Sequence, residues 1–106
     1  MKKLIIIKTT ISNENTKKKL IEELLKNNYV ACINIIENIT SYYKWEGKLQ
    51  SQNEEILLIK TILKNEKLVY KIIKRHHDYK IPEITTISVK NVDKNYMGWI
   101  EESILG

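Results

Sequence analysis

The sequence contains little of what disulfide scaffolds, thiolate metal cages and membrane anchors are made from. Cys32 is its only cysteine, which excludes an intrachain disulfide and a metal cage built from several thiolates. No apolar run approaches the length that crosses a bilayer, and the run at residues 4–7 stops at Lys8, too early for a signal peptide. We therefore expect one cytoplasmic domain, residues 1–106, with no membrane partner.

Arginine is also nearly absent, although the net charge is +5. Arg75 is the only arginine, and the lysines are spread along the chain instead of being gathered in one segment. Surfaces that bind nucleic acid usually concentrate arginines and aromatic residues on one face. We interpret the lysines as a solvated surface and expect no nucleic-acid partner.

The apolar pattern predicts four strands and three helices in the order βαββαβα. This order is typical of the α+β ferredoxin-like fold, a split βαβ sheet with helices on one face, here with an extra C-terminal helix. The predicted strands cover residues 4–7, 30–36 (continuing at 39–45 beyond a bulge at Asn38), 54–63 and 84–89. The predicted helices begin at residues 12–14, 65–66 and 93–95, where Asn and Asp side chains can cap them.

Each predicted helix has an apolar stripe that should face the sheet. In the second helix, the spacing places His76 on the buried stripe and His77 off it. The predicted stripe residues are Leu20, Ile21, Leu24 and Leu25, then Leu68, Val69, Ile72 and Ile73, then Tyr96, Trp99, Ile100, Ser103 and Ile104.

Residues 39–63 predict a β-hairpin that is unusually long for so small a protein and turns near Trp45-Glu46-Gly47-Lys48. Its aromatic residues Tyr42, Tyr43 and Trp45 could stack on bases or on a small ring. Aromatic side chains on an exposed hairpin are also typical of subunit interfaces. We favour the second interpretation and predict that these three residues lie in an interface between copies of the chain.

Five blocks resemble the CutA family of divalent-cation-tolerance proteins, in the same order and with similar spacing. The blocks are YVACINI at 29–35, ITSYYKWEGK at 39–48, EILLIKT at 55–61, HDYKIPEI at 77–84 and NYMGWI at 95–100. The resemblance implies a ferredoxin-like fold and a homotrimer whose hairpins extend sheets between subunits. It also implies a link to tolerance of divalent metals, copper in particular, and a relation to PII-type proteins that bind small ligands between subunits.

The sequence departs from the family pattern at three positions. Asp78 stands where the family usually has proline, and Lys80 where Glu or Gln is common. Some members carry a cysteine at the end of the first strand, implicated in copper binding with a histidine and a glutamate of the later block. Lys8 occupies that position here, so a site formed with His76 and Glu83 would lack the thiolate.

The candidate metal ligands are His76, Glu83 and Cys32, for copper or another divalent cation that the protein does not require. Imidazole and thiolate suit copper, and a carboxylate can complete a site. Adjacent helical residues point about 100° apart, so His76 and His77 cannot easily bind one ion. Both alternatives remain open for Glu83, as a ligand or as an acceptor for backbone donors. Cys32 is either a Cu(I) ligand or a small buried apolar side chain.

Two other classes of protein share the predicted topology, but this sequence lacks the residues that their activities require. An acylphosphatase needs an arginine in the loop after the first strand, and residues 8–12 contain none. An RNA-recognition domain needs aromatic residues on its central strands, and residues 4–7 and 56–59 offer none. We therefore expect a non-enzymatic, homotrimeric CutA-like protein that binds divalent metal weakly. The alternative is a PII-like sensor of small ligands in clefts between subunits.

Overall fold

A computed structural model describes residues 2–105 and confirms the predicted order of elements. The four strands form one antiparallel sheet in the order β2-β3-β1-β4, so β3 lies between β1 and β2 as the split βαβ arrangement requires. The elements are β1 (Leu4–Ile11), α1 (Glu14–Lys26), β2 (Cys32–Trp45), β3 (Lys48–Ile62), α2 (Glu66–His76), β4 (Ile84–Ser88) and α3 (Lys94–Leu105).

The central strands are longer than their apolar runs suggest. β1 continues to Ile11 because its whole length pairs with β3, down to the pair Ile11↔Glu55. β3 begins at Lys48, six residues before the predicted start, because its polar first half pairs with β2 as far as Trp45↔Lys48. Backbone pairing extends these strands beyond their continuous apolar runs, so the apolar pattern missed their ends.

Backbone geometry confirms the bulge and the turn that were predicted in the hairpin. The β2–β3 register shifts between Ile36 and Ile39, and Asn38 has a φ of 58° in the left-handed region. Glu46 and Gly47 form the two-residue connection with φ values of 52° and 77°. Positive φ at both loop positions is the geometry that matches the twist of the flanking strands, and Gly47 adopts it without strain.

The main core lies between one face of the sheet and the helices α1 and α2. It consists of Ile5, Ile7, Ile11, Leu57 and Ile59 from the strands, Val30, and Leu20, Leu24, Val69, Ile72 and Ile73 from the helices. α3 covers one end of the opposite face, where Ile100 and Ile104 pack on Leu4 and Ile62. The rest of that second face has no helix over it within residues 2–105.

Some predicted core residues are exposed. Leu25 and Leu68 lie at the edges of their stripes, and Trp99 is 47% exposed, stacked on Tyr96 with ring centroids 5.8 Å apart. The prediction for His77 is wrong, because its side chain is only 1% exposed, whereas the His76 side chain, predicted on the stripe, is 22% exposed. α2 ends at His76 and the backbone becomes extended at His77, which removes His77 from the helical periodicity.

The helix starts follow the predicted capping in two cases of three. Asn13 Oδ1 accepts from the Thr16 N–H at 3.0 Å, and Asp93 Oδ2 accepts from the N–H groups of residues 95 and 96. Asn65 does not cap α2, because a 3₁₀ turn at Leu63–Asn65 leads into that helix and the Asn65 amide donates to the Tyr29 carbonyl instead. None of the helices in residues 2–105 is both long and apolar enough to span a membrane.

Two buried threonines allow a test of the core. Thr9 Oγ1 is buried without a hydrogen-bond partner within residues 2–105, whereas Thr61 Oγ1 donates to the Tyr29 carbonyl at 2.7 Å. We expect Thr9→Val to raise the free energy of unfolding by about 1 kcal/mol, because it removes an unsatisfied hydroxyl at constant shape. Thr61→Val, the matched control, should lower it by about 1 kcal/mol or more. Urea unfolding measures both, and an equal loss in the two variants would contradict the assignment.

Candidate functional site

The loop between α2 and β4 closes the sheet where β1 extends beyond β4. Within the described residues β4 pairs with β1 only as far as Thr9↔Ile84, so the backbone of Thr10 lies beyond the last ladder pair. His77 supplies the hydrogen-bond partner of the Thr10 carbonyl, to which its Nε2–H donates at 2.8 Å. The other ring nitrogen, Nδ1, accepts from the Tyr79 N–H at 3.1 Å. Both ring nitrogens are occupied, so His77 is a structural residue and has no free atom for a metal.

Tyr79 joins this loop to the base of the hairpin. Its hydroxyl donates to Glu54 Oε2 at 2.7 Å and lies 2.9 Å from Ser12 Oγ. The contacts continue outward, since the Gln52 amide donates to Ser12 Oγ at 3.3 Å and the Tyr43 hydroxyl donates to Gln52 Oε1 at 3.2 Å. We refer to Ser12, Glu54, His77 and Tyr79 as the loop cluster. It fixes the loop and the hairpin relative to each other.

The electrostatics of the loop cluster favour a fixed proton over proton transfer. Burial raises the pKa of Tyr79 to about 12, a Ser12 hydrogen bond opposes this shift, and the hydrogen bond to the Glu54 carboxylate adds to it. The phenol therefore remains protonated at neutral pH and keeps its hydrogen bond to Glu54. The cluster acts as a clamp between elements and not as an acid–base pair.

Glu83, a predicted metal ligand, is bound by a lysine. Its Oε2 lies 3.3 Å from Nζ of Lys8, and the Thr85 hydroxyl donates to the same oxygen at 3.3 Å. Lys8 and Thr85 are directly paired across β1 and β4, which places both side chains on the sheet face next to Glu83. The carboxylate is thus held by residues of the sheet itself.

His76, the second predicted ligand, pairs with α1. Its Nε2 lies 2.7 Å from Glu23 Oε1, and the Arg75 guanidinium binds the other oxygen of the same carboxylate. Hydrogen bonds from Arg75 and then His76 lower the pKa of Glu23, so this group is ionised at neutral pH. The surrounding hollow of about 370 Å³ also contains the three lysines Lys18, Lys19 and Lys26.

Cys32, the third predicted ligand, is a half-buried free thiol at the start of β2. It is paired with Lys60, whose ammonium donates to the Tyr96 hydroxyl at 3.1 Å. His76, Glu83 and Cys32 therefore have different neighbours. Nowhere in residues 2–105 do three His, Cys, Asp or Glu side chains converge in a way that could hold a metal ion. Within the part of the chain that the structure describes, the residues of a single chain do not fit a tight metal site.

The hairpin extends past the sheet as a two-stranded arm, which we define as residues 39–53. β1 pairs with β3 only from Glu55 onward, so within the described residues the arm strands pair with each other alone. The Cα radius of gyration is 14.7 Å, above the value of about 13 Å expected for a compact chain of this length. The predicted interface residues Tyr42, Tyr43 and Trp45 are all exposed on the arm, Tyr42 by 74%.

A second apolar surface adjoins the arm. The pairs Ile6↔Ile87, Thr10↔Ile56 and Ile36↔Ile56 place apolar side chains on the sheet face opposite α1 and α2. Ile36 is 46% and Ile87 45% exposed. We define the open face as Ile6, Ile36, Ile56, Leu58 and Ile87.

Sequence reasoning missed Ser12, Glu54 and Tyr79 as members of a site, and it named Lys8 only as the residue at the position of a family cysteine. Tyr79 is part of the block at 77–84 without a role of its own, and Glu54 is only the first residue of a predicted strand. One signal was available for Glu54, since it alternates with Ile56 and Leu58 and so falls on the same face of β3. A charged residue at such a position needs a partner. The loop that supplies the partner is 25 residues away in sequence and carries no periodic pattern.

The raised pKa of Tyr79 predicts a loss of stability at alkaline pH. The folded protein holds this proton more tightly than the unfolded chain, so the stabilisation is complete below pH 10 and is lost as pH rises from 10 to about 12. We expect the urea midpoint of the wild type to fall over this range by more than that of Tyr79→Phe. Tyr42→Phe, at an exposed site, is the matched control and should follow the wild type. Identical pH profiles for Tyr79→Phe and the wild type would contradict the assignment.

Comparison with known proteins agrees with the fold and the motif order. Residues 5–103 match the family model described as CutA1 divalent ion tolerance protein. A divalent-cation tolerance protein CutA from Yersinia pestis is 33% identical over 101 residues, covering 95% of this chain and 85% of that protein. A chloroplastic CutA protein from Arabidopsis thaliana is 32% identical over 93% of this chain, which spans only 54% of that relative's length.

Solved structures show the same architecture. The crystal structure of the divalent ion tolerance protein CutA1 from Ehrlichia chaffeensis is similar with a TM-score of 0.91 at 29% identity, covering 98% of this chain and 97% of the other. CutA1 from Oryza sativa gives a TM-score of 0.89 at 32% identity, covering 95% and 93%. Since the family model, the relatives and the fold agree over nearly the whole length, the chain belongs to the CutA1 divalent ion tolerance family.

Proposed function

We propose that this protein acts in the cytoplasm as a homotrimer in divalent-cation tolerance, with a binding and assembly role instead of a catalytic one. The observation that carries the proposal is the exposed arm next to the open face. The relatives' names supply the link to divalent cations. The number of subunits follows from the family resemblance described under the sequence.

The arm supports self-association because its strand edges have no neighbouring strand within residues 2–105. A two-stranded hairpin is marginally stable in water, and a strand edge with free N–H and C=O groups tends to pair with another chain. In residues 2–105, the outer edge of β2 and the edge of β3 before Glu55 have no strand beside them. Another copy of the arm or sheet would complete these ladders. Tyr42, Tyr43 and Trp45 would then be anchors at the contact.

The open face also supports self-association, because contact with another copy would bury its apolar side chains. Ile36 and Ile87 are exposed on this face, and Ile36 lies next to the arm, whose aromatic side chains are also exposed. Exposed apolar side chains that lie together mark sites of protein association. Self-association would remove both surfaces from water in one step. A second copy of the same chain is the partner that presents a matching apolar face.

A non-catalytic role is supported by the state of the titratable groups. Both nitrogens of His77 are engaged in hydrogen bonds, and the Tyr79 phenol has its pKa raised to about 12. Glu54 accepts from that phenol. General acid–base catalysis needs a group that can exchange a proton near the working pH, and the loop cluster holds its protons in structural bonds.

Weak binding of copper or another divalent ion is best supported at His76. Its imidazole and the Glu23 carboxylate are suitable donors, and copper is the strongest binder among such ions. Arg75 on the same carboxylate and the lysines of the surrounding hollow oppose a second positive charge. The balance supports a labile site and not a tightly held ion.

A PII-like role in sensing a small ligand is the second candidate. The hollow beside the loop cluster, about 300 Å³, is lined by Glu14, Glu37, Glu54 and Glu55 and would repel an anionic nucleotide. A more suitable hollow of about 570 Å³ lies along α2 and is lined by Tyr70 and the lysines 67, 71 and 74. A thermal-shift screen with nucleotides and small acids separates this candidate from metal binding.

Trp45→Ala tests the assembly. We expect truncation to weaken the trimer by about 2 kcal/mol per interface, because buried tryptophans carry much of the energy of such contacts. Light scattering coupled to size exclusion, over a dilution series, measures the dissociation. Leu25→Ala removes a similarly exposed apolar side chain from α1 and should leave the trimer unchanged. A wild type that is monomeric at micromolar concentration, or a Trp45→Ala trimer as stable as the wild type, would refute the proposal.

His76→Ala tests the metal site. Calorimetric titration of the chelator-treated protein with Cu²⁺ and Zn²⁺ should show weak binding by the wild type, stronger for Cu²⁺, and its loss in the variant. Glu83→Ala should bind as the wild type does, because Glu83 is already paired with Lys8. Cys32→Ser should also have no effect. Retention of the full affinity by His76→Ala would exclude this site.

A further inference from the structure

The two faces of the arm carry different side chains. Leu49 lies an even number of residues before Leu57, so the alternation of β3 places both on the side of the sheet that α1 and α2 cover. Tyr42, the diagonal neighbour of Leu49 in the ladder, lies on this helix side as well. Tyr43 and Trp45 alternate with Tyr42 and lie on the side of the open face. The aromatic residues of the arm therefore do not all reach the same contact.

Tyr42 and Leu49 are unusually exposed for large apolar residues. They are 74% and 76% exposed, and Ile81, in the loop between α2 and β4, is 70% exposed. No other large apolar residue in residues 2–104 is more than 47% exposed. Neighbouring exposed apolar side chains mark sites of association. The chain thus has one such surface on the helix side of the arm and another at the loop.

Ile81 borders a hollow that can receive an apolar side chain. The hollow has a volume of about 460 Å³ and is also lined by Tyr70, Pro82 and Ile84. Tyr70 and Ile84 pack against the main core, so the hollow opens on the helix side of the sheet, beside the outer strand β4. Its apolar lining suits an aromatic or aliphatic side chain.

The two surfaces lie at opposite edges of the sheet. The arm extends from β2 and β3 at one edge, whereas the hollow lies beside β4 at the other. A closed trimer is a head-to-tail ring, in which each interface joins two different surfaces of the chain. Sheets that meet edge to edge keep their faces on the same side, so a helix-side surface of one copy meets the helix side of the next.

We propose that Tyr42 and Leu49 of one copy dock into the hollow at Ile81 of the next copy. The proposal rests on the proposed trimer and names the surface that receives the arm. Lys74 and Lys80 also line the hollow, and their ammonium groups favour the face of a tyrosine ring. The occupant of the hollow is therefore a second copy of this chain.

Crosslinking tests the contact in the full chain. Leu49→Cys and Ile81→Cys are combined with Cys32→Ser, so that a short bismaleimide can join only the two introduced thiols. We expect covalent dimers and trimers on a denaturing gel, because the contact would hold thiols of neighbouring copies together. The matched control, Leu25→Cys with Ile81→Cys in the same background, places one thiol on α1, and its yield should be lower by about tenfold or more.

Truncation measures the same contact without a crosslinker. Tyr42→Ala and Ile81→Ala should each raise the concentration at which the trimer dissociates by about tenfold, as loss of an anchor residue does. Both residues are exposed within the chain, so the fold of each copy should stay intact. The double variant should dissociate at nearly the same concentration as either single variant, because both substitutions remove one shared contact.

Three results would overturn the proposal while light scattering still shows a trimer: crosslinking no better than in the control, fully additive effects of Tyr42→Ala and Ile81→Ala, or rapid labelling of Leu49→Cys by a bulky maleimide. The last result would leave the arm surface open to a different protein. A wild type that is monomeric at micromolar concentration would instead contradict the proposed function, and the contact with it.

Discussion

The pairing of β2 with β3 is the constraint on which the rest of the structure depends. It continues from Cys32↔Lys60 to Trp45↔Lys48, through the shift at Asn38, and so extends past the region that the helices cover. The inner half of β3 is held on both sides and carries the core residues Leu57 and Ile59. The outer half has β2 alone beside it. One hairpin ladder, bulged at Asn38, therefore produces both a well-packed sheet and an arm whose strands, within residues 2–105, pair only with each other.

The sequence was sufficient for the features that local physics determines. Alternation predicted the hairpin, and Asn38 and Gly47 marked the bulge and the turn because few residues adopt positive φ readily. It was insufficient where the outcome depends on partners far along the chain. The His77 side chain is buried because β1 extends beyond β4 and leaves the Thr10 carbonyl to be satisfied, which no helical period indicates. The partners of His76, Glu83 and Cys32 also lie on other elements of the fold, so no local pattern showed that these three residues have different neighbours.

The loop cluster and the arm are parts of one mechanical arrangement. The Tyr79 hydroxyl donates to Glu54, the last β3 residue before pairing with β1 begins. Ser12 Oγ accepts a hydrogen bond from the side-chain amide of Gln52, which belongs to the arm. Bonds at this point resist rotation of the arm about its base. An interface formed by the arm would require the arm to have a defined orientation relative to the sheet, because its aromatic side chains would have to reach the same contacts in every copy. The half-buried phenol thus connects the loop to the base of the arm on which the proposed assembly depends.

Burying the open face would also bury two lysines, and the partners of these lysines within the same chain reduce the cost. Lys8 and Lys60 project from the same face as Ile56 and Leu58, so assembly over this face would also remove two ammonium groups from water. An unpaired buried charge is strongly destabilising, whereas a paired one is tolerated. Each lysine already has a partner within its own chain, Glu83 for Lys8 and the Tyr96 hydroxyl and ring for Lys60. The Lys8–Glu83 pair would therefore lower the cost of burying the apolar face around it in the proposed assembly.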